Sequence, residues 1–201
     1  MNPSALYSLS YGLFVLTARQ GDKDNGCIVN TVQQVTSAPM RVSVAVNKAN
    51  YTHDMILATG LFNVSILNQD APFAVFQHYG FQSGRDTDKI VGEPARSANG
   101  LVYVPAVANA YLSCKVVQTI DLGTHTMFLA DVTDADVLNK VPSMTYAYYH
   151  ANVKPKPQPK AGKKTGWQCK VCGYVYEGET LPPDFVCPLC KHGAEDFEKI
   201  G

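Results

Sequence analysis

Four cysteines carry the plainest chemistry in the sequence. Cys169-Lys170-Val171-Cys172 and Cys187-Pro188-Leu189-Cys190 are two C-x-x-C pairs with fourteen residues between them. Four thiolates at this spacing can surround one metal ion tetrahedrally, and the all-sulfur donor set suits Zn²⁺ or iron. Two disulfides are the competing use, but they need an oxidising compartment. The sequence has no basic stretch ahead of an apolar run, and residues 13–16 are too short for a leader core or a membrane span. A reducing cytoplasm and no membrane are therefore expected. Gly173, directly after Cys172, permits the positive φ that lets a backbone N–H approach a thiolate. A closed four-thiolate site has no open coordination position, so it passes electrons or stabilises the fold and binds no substrate. Cys27 and Cys114 stand outside the pattern and read as small buried residues.

A second chemistry is anion binding. Asn50 and Thr52 precede an apolar-periodic stretch, residues 53–59, that Gly60 ends. Thr52 reads as the N-cap. The free N–H groups and positive dipole end of such a helix can receive a phosphate, and Lys48 adds charge nearby. A plain helix cap is the alternative use of the same residues. No G-x-G-x-x-G follows a strand, so a nicotinamide is not held in the Rossmann manner.

The elements that must position these groups are mostly strands. Residues 11–18, 27–36, 41–47, 61–67, 101–104, 111–121 and 127–137 read as strands, and residues 145–149 as a last short one. Residues 21–26 are polar and Gly-bounded, a turn. Short helices are expected at 3–9, 53–59 and 72–79, the last opened by Pro72. Strands mostly adjacent in sequence favour an antiparallel barrel with peripheral helices. With 46% hydrophobic and 17% charged residues, the 201-residue chain can bury a sizeable core.

Charge divides the chain. Residues 1–151 hold nine Lys and Arg against eleven Asp and Glu; residues 152–166 hold five Lys and no acid; residues 167–201 hold three Lys against six acids. The middle stretch alternates Lys154, Lys156 and Lys160 with Pro155, Pro157 and Pro159, an extended tether with a reach of about 3 Å per residue. Three parts follow: a barrel at 1–151, a linker at 152–166 and a metal domain at 167–201, whose small core comes from Trp167, Tyr174, Tyr176, Phe185 and Phe197. Zero net charge and the acidic tail count against nucleic acid as a partner.

The tail, Cys-x-x-Cys-Gly-Tyr followed by Pro-x-x-Phe-x-Cys-Pro-x-Cys, resembles rubredoxin, and its short gap is closest to the rubredoxin-like tail of rubrerythrins. Zinc ribbons share the ligand spacing. The resemblance implies one iron on Cys169, Cys172, Cys187 and Cys190.

Upstream, four segments resemble the flavin reductase family, a split β-barrel of Greek-key type that binds FMN. They are residues 25–31 (Asn-Gly-Cys-Ile-Val-Asn-Thr), 46–53, 83–89 and 123–128. The resemblance implies that Ile28, Val29, Asn30 and Thr31 edge the isoalloxazine. Asn50 and Thr52, with the charge of Lys48, would receive the phosphate, Asn47 and His53 belong to the same cofactor-binding segment, and Ser83 and Gly84 would close over the cofactor. It also places His125 by the nicotinamide, with Thr124 where the family often has an acidic residue. Arg85 and Arg96 are cations that a 2′-phosphate could meet.

The whole chain resembles the high-molecular-weight rubredoxins. What that implies is an electron relay from NAD(P)H through FMN and Fe(Cys)4 to a flavodiiron-type O₂ or NO reductase, in a homodimer. Two other readings use the same residues: a flavin or ferric reductase with a structural zinc ribbon, or a non-enzymatic ligand-binding barrel whose ribbon recruits a protein.

Overall fold

Val42, Val44 and Val46 point into one core from β4 (Met40–Asn47), while Arg41, Ser43 and Ala45 between them stay half-exposed. The same two-residue period builds β1 (Phe14–Gln20), β2 (Lys23–Val29), β3 (Gln33–Ser37), β5 (Leu61–Leu67), β6 (Ala108–Asp121) and β7 (His125–Val137). All seven pair antiparallel in one sheet, in the order β2-β1-β5-β6-β7-β4-β3. The computed structural model describes residues 2–155, 166–171, 173–188 and 192–200.

The sheet has to curl. β2 and β3 are its two edges, yet only residues 30–32 join them. The chain from Val29 to Gln33 reaches about 14 Å at most. A flat sheet of this order would set its edges about 29 Å apart. Curling encloses Leu16, Val44, Val46, Phe62, Val64 and Phe128, and α1 (Tyr51–Thr59) adds Met55 and Ile56. Gly60 ends α1 at φ 68°, its N–H returned to Ile56 O at 2.8 Å. α2 (Phe73–Gly80) and the residues around Met144 and Tyr149 cover the other face of β1, where Leu13 and Val15 lie. β1 is therefore buried on both faces from Phe14 to Ala18 and reads as a continuous, mostly apolar run.

Four expectations are corrected. Residues 27–36 form two strands, because the chain crosses between the sheet edges at 30–32. Of residues 21–26, only Gly21 and Asp22 turn; Lys23–Gly26 join β2, since Asp24 is taken up by Arg96 and Asn25 by Thr52. Residues 101–104 add no strand to the sheet. Val102 bridges only Arg96, and the segment lies across β1 and β5. Its backbone is bound there by Thr17, Asn63 and Ser65, polar residues buried on the face opposite the barrel core. Residues 145–149 are helical: Thr145 Oγ1 accepts from Tyr148 N at 3.1 Å, and the Tyr149 ring packs 4.4 Å from Phe76.

The chain divides into two compact units between Val153 and Lys154. The second holds β8 (Gly166–Cys169), β9 (Val175–Tyr176) and β10 (Phe197–Ile200) in the order β10-β8-β9. Phe185 is its hub, with ring centroids at 4.8 Å from Tyr176, 5.3 Å from Phe197 and 6.4 Å from Tyr174. Most of the Lys/Pro tether, residues 156–165, lies outside the described residues. Among the described residues no helix is long and apolar enough to cross a membrane.

Candidate cofactor cradle and metal centre

Cys169 ends β8 at 1% exposure and Cys187 is at 0%. Cys169 N donates to Tyr174 O and Gly173 N to Cys169 O, each at 2.8 Å, closing a tight knuckle; Gly173 turns it at φ 78°. Cys187 N donates to His192 O at 2.8 Å and starts the second. Cys172 and Cys190 lie outside the described residues. Two thiols buried in an aromatic shell and aligned by knuckles fit a thiolate-bound metal, since an unneutralised thiolate would be costly there. Cys27 and Cys114, by contrast, are ordinary core thiols, which burial pushes up to about 11 and about 12.

In the barrel, β4 ends at Asn47, and its register partner on β7 is His125. The chain then turns: Lys48 N donates to Thr124 O and Asn50 N to Asn47 O, both at 3.0 Å, while Asn47 Oδ1 accepts from Ala49 N at 2.9 Å. Asn50, at φ −74° and ψ 129°, opens α1 and makes no side-chain cap. The first-turn N–H groups of Tyr51 and Thr52 thus lack an intrahelical acceptor. The N-cap is Asn50, not Thr52. Lys48 Nζ rests on Asp121 at 2.7 Å, which with Gly123 N holds that carboxyl below its usual range.

Beside Asn47 and His125 the outer face of the sheet continues as the half-buried pairs Ala45–Met127 and Ser43–Leu129, a mostly apolar strip. Thr124 Oγ1 meets His125 Nδ1 at 2.9 Å and so orients the ring. Thr31 borders the strip, but its hydroxyl is spent on Ala45, donating to O at 2.7 Å and accepting from N at 3.1 Å. Ile28 lies under Gly80, and Val29 is in the barrel core.

The other wall is the loop after Phe81. Ser83 Oγ accepts from Arg85 N at 3.1 Å, a local turn. Arg85 reaches Asp54 Oδ2 at 2.6 Å and lies 4.8 Å over the Tyr51 ring. Lys89, buried, donates to Gly26 O at 3.0 Å and Tyr79 O at 2.9 Å and so blocks the free edge of β2; burial pulls its ammonium down. Between the walls sits Asn25. Its Nδ2 donates to Thr52 Oγ1 at 3.0 Å; its Oδ1 is buried without a partner, and a Cβ on Gly84 would overlap the carboxamide. An orphaned acceptor costs about 1–3 kcal/mol, so the site carries a cost that a ligand or a fixed geometry must justify.

The structure therefore gathers Asn47, Lys48, Asn50 and His125 at one edge, with Ser83 and Gly84 opposite. Thr52 and His53 face inward. His53 Nδ1 meets Asp54 at 3.0 Å and Nε2 meets Thr126 Oγ1 at 2.9 Å, so it ties α1 to β7. Asp54 was not singled out by sequence, and Asn25, within the 25–31 segment, was given no role of its own. The signal for Asn25 was a polar residue inside an alternating strand, hidden by the turn reading of Asn-Gly.

The hydrogen bond from His53, then Arg85, holds the Asp54 carboxyl below its usual value. A carboxyl lowered by folding stabilises above its unfolded value, and that contribution fades as pH falls through the folded one. The urea midpoint of Asp54→Asn should lie below that of the parent from neutral pH to about 5 and converge with it below about 4. A gap that persists in acid would mean that the carboxylate charge is not what holds Arg85.

The flavin reductase like domain family matches residues 6–156, and the rubrerythrin, rubredoxin-like domain family matches residues 167–198. A high molecular weight rubredoxin of Moorella thermoacetica is 39% identical over the whole of both chains. A ferric-chelate reductase (NAD(P)H) of Archaeoglobus fulgidus is 37% identical over 78% of this chain and 93% of its own. The NADH:FAD oxidoreductase SgcE6 of Streptomyces globisporus superimposes with a TM-score of 0.64 over 70% of this chain and 83% of its own, at 23% identity, which speaks to the fold alone. The full-length relative and both family matches converge with the sheet order: the chain belongs to the high-molecular-weight rubredoxins, a flavin reductase-like domain followed by a rubredoxin-like domain.

Proposed function

We propose that the chain is an electron-transfer oxidoreductase that takes electrons from NAD(P)H and delivers them singly to an acceptor protein, a flavodiiron-type O₂ or NO reductase. The observation that carries this reading is the pairing, in one chain, of a helix N-terminus without a side-chain cap beside a mostly apolar strip with two buried cysteines of the C-x-x-C pairs. The cradle fits FMN: the first turn of α1 has no side-chain cap, so its N–H groups are available to a phosphate, and the loop of Ser83 and Gly84 lies beside it. FMN bound there supplies hydride acceptance and single-electron release, and iron on Cys169, Cys172, Cys187 and Cys190 supplies a one-electron site.

The residues themselves bind and orient. Tyr51 and Thr52 N–H groups, with Lys48, would hold the phosphate. Ala45 and Met127 would shield the ring from water. His125, oriented through Nδ1 by Thr124, would border the nicotinamide. No acid or base is required for hydride transfer, only close stacking. β3 is exposed along its whole length, with its Val35 and the neighbouring Met40 of β4 open, and a second copy of the chain is the expected cover. The reducing cytoplasm expected from the sequence suits the thiolate centre.

The visible spectrum tests this reading. A flavin band and a red thiolate–iron band, both bleached by anaerobic NADH, are expected. Flavin with stoichiometric zinc would make the tail structural, and a protein that stays colourless after FMN and iron reconstitution would rule the reading out. A further outcome concerns the nicotinamide. Arg85 is bound to Asp54, and Arg96 grips Asp24 at 2.6 and 3.1 Å. A 2′-phosphate would have to compete with these carboxylates, so kcat/KM for NADH should exceed that for NADPH by about tenfold, or ~1.4 kcal/mol. Equal values would place the 2′-phosphate on another cation.

A further inference from the structure

Asn25 is an unusual residue for its place. It lies on β2 beside Cys27 and Val29, both turned into the barrel core, and it is 2% exposed. Asn is a poor strand former, and an apolar residue there would remove the unpaired Oδ1. What its carboxamide touches explains it. On one side Nδ2 holds Thr52, the second residue of α1, which is at 0% exposure. On the other side Gly84 lies against the carboxamide so closely that no Cβ fits. Gly84 has no positive φ, so its backbone conformation does not demand glycine. The contact with Asn25 does. Arg85, the next residue, is clamped to Asp54 of the same helix turn.

We propose that Asn25 is the positioning residue of the cradle, its buried carboxamide setting the gap between the first turn of α1 and the loop of residues 83–85. It touches no reacting atom. It acts through Thr52, the second residue of α1, whose hydroxyl it holds, and through Gly84, which packs against its carboxamide. This rests on the reading that FMN seats in that gap.

The test uses the full chain, free of FMN and then titrated with it. In Asn25→Leu, which keeps the bulk and removes the orphaned acceptor, amide exchange at residues 83–86 of the FMN-free protein should rise at least about tenfold. FMN should bind at least about tenfold more weakly by flavin fluorescence quenching, with the unfolding midpoint kept. Wild-type exchange and affinity in this variant overturn the proposal. Gly84→Ala should show the same losses from the other side. In the double variant Asn25→Ala/Gly84→Ala the new Cβ has room, so exchange should recover part of the way; losses that simply add overturn the proposal. If the unsubstituted chain binds no FMN, the functional reading falls. The exchange measurements, which need no cofactor, then decide alone whether Asn25 sets the loop.

Discussion

Cys187→Ser is expected to remove the metal and stop electron delivery while leaving NADH-driven bleaching of the flavin intact. Cys187 is fully buried and its N–H is fixed on His192 O, so a serine hydroxyl would occupy the same place. It is a poor ligand there. The hydroxyl does not ionise near neutral pH, and oxygen does not match a soft thiolate donor set. Losing only an outer partner of a ligand typically costs about 10–100-fold in metal affinity, and losing a ligand should cost more than about 100-fold. The second unit should unfold with it. Its core is little more than Phe185, Phe197, Trp167 and two tyrosines, and small metal domains draw about 10–16 kcal/mol of folding free energy from the bound ion. Reduction of the acceptor and reduction of the flavin are measured side by side. If delivery survives in the variant, the centre is not the exit, and a zinc-bound structural tail becomes the better account.

The parts legible in the sequence were those fixed by near neighbours. Val42, Val44 and Val46 alternate within one strand. Gly60 ends α1, and Gly173 turns a knuckle at positive φ, because each is decided within a few residues. The aromatic core of the tail was legible for a similar reason: a short segment has few apolar residues to choose from. The misread parts depend on partners far along the chain. Residues 101–104 look like a strand, but Thr17 and Asn63, some forty to eighty positions away, bind their carbonyls. Asn25-Gly26 looks like a turn, but Thr52 and Tyr79 hold it extended. The candidate site shows the same division. Its edge residues came from local motifs. The roles of Thr31, Thr52 and His53 did not, because their side chains are spent on Ala45, Asn25 and Thr126 across the fold.

Phe128→Ala should cost the first unit about 3–5 kcal/mol, a large share of the ~5–15 kcal/mol that holds a typical domain. Phe128 is fully buried near the start of β7, in register with Val44 on β4 and Thr119 on β6, so no neighbour can easily fill the space. Its ring also lies 5.7 Å from His53, which ties α1 to β7. The cavity should therefore loosen α1 and weaken FMN binding at a site that Phe128 does not touch. The measurement is the urea midpoint of the full chain with and without FMN. At about one hundred times its dissociation constant, a ligand specific to the folded state returns about 2.7 kcal/mol, so saturating FMN should recover much of the loss. Phe128→Leu, which keeps most of the volume against His53, should lose less stability and little affinity. A Phe128→Ala protein that is destabilised but binds FMN as tightly as its parent would show that the His53 tie alone, without this ring behind it, holds the helix in place.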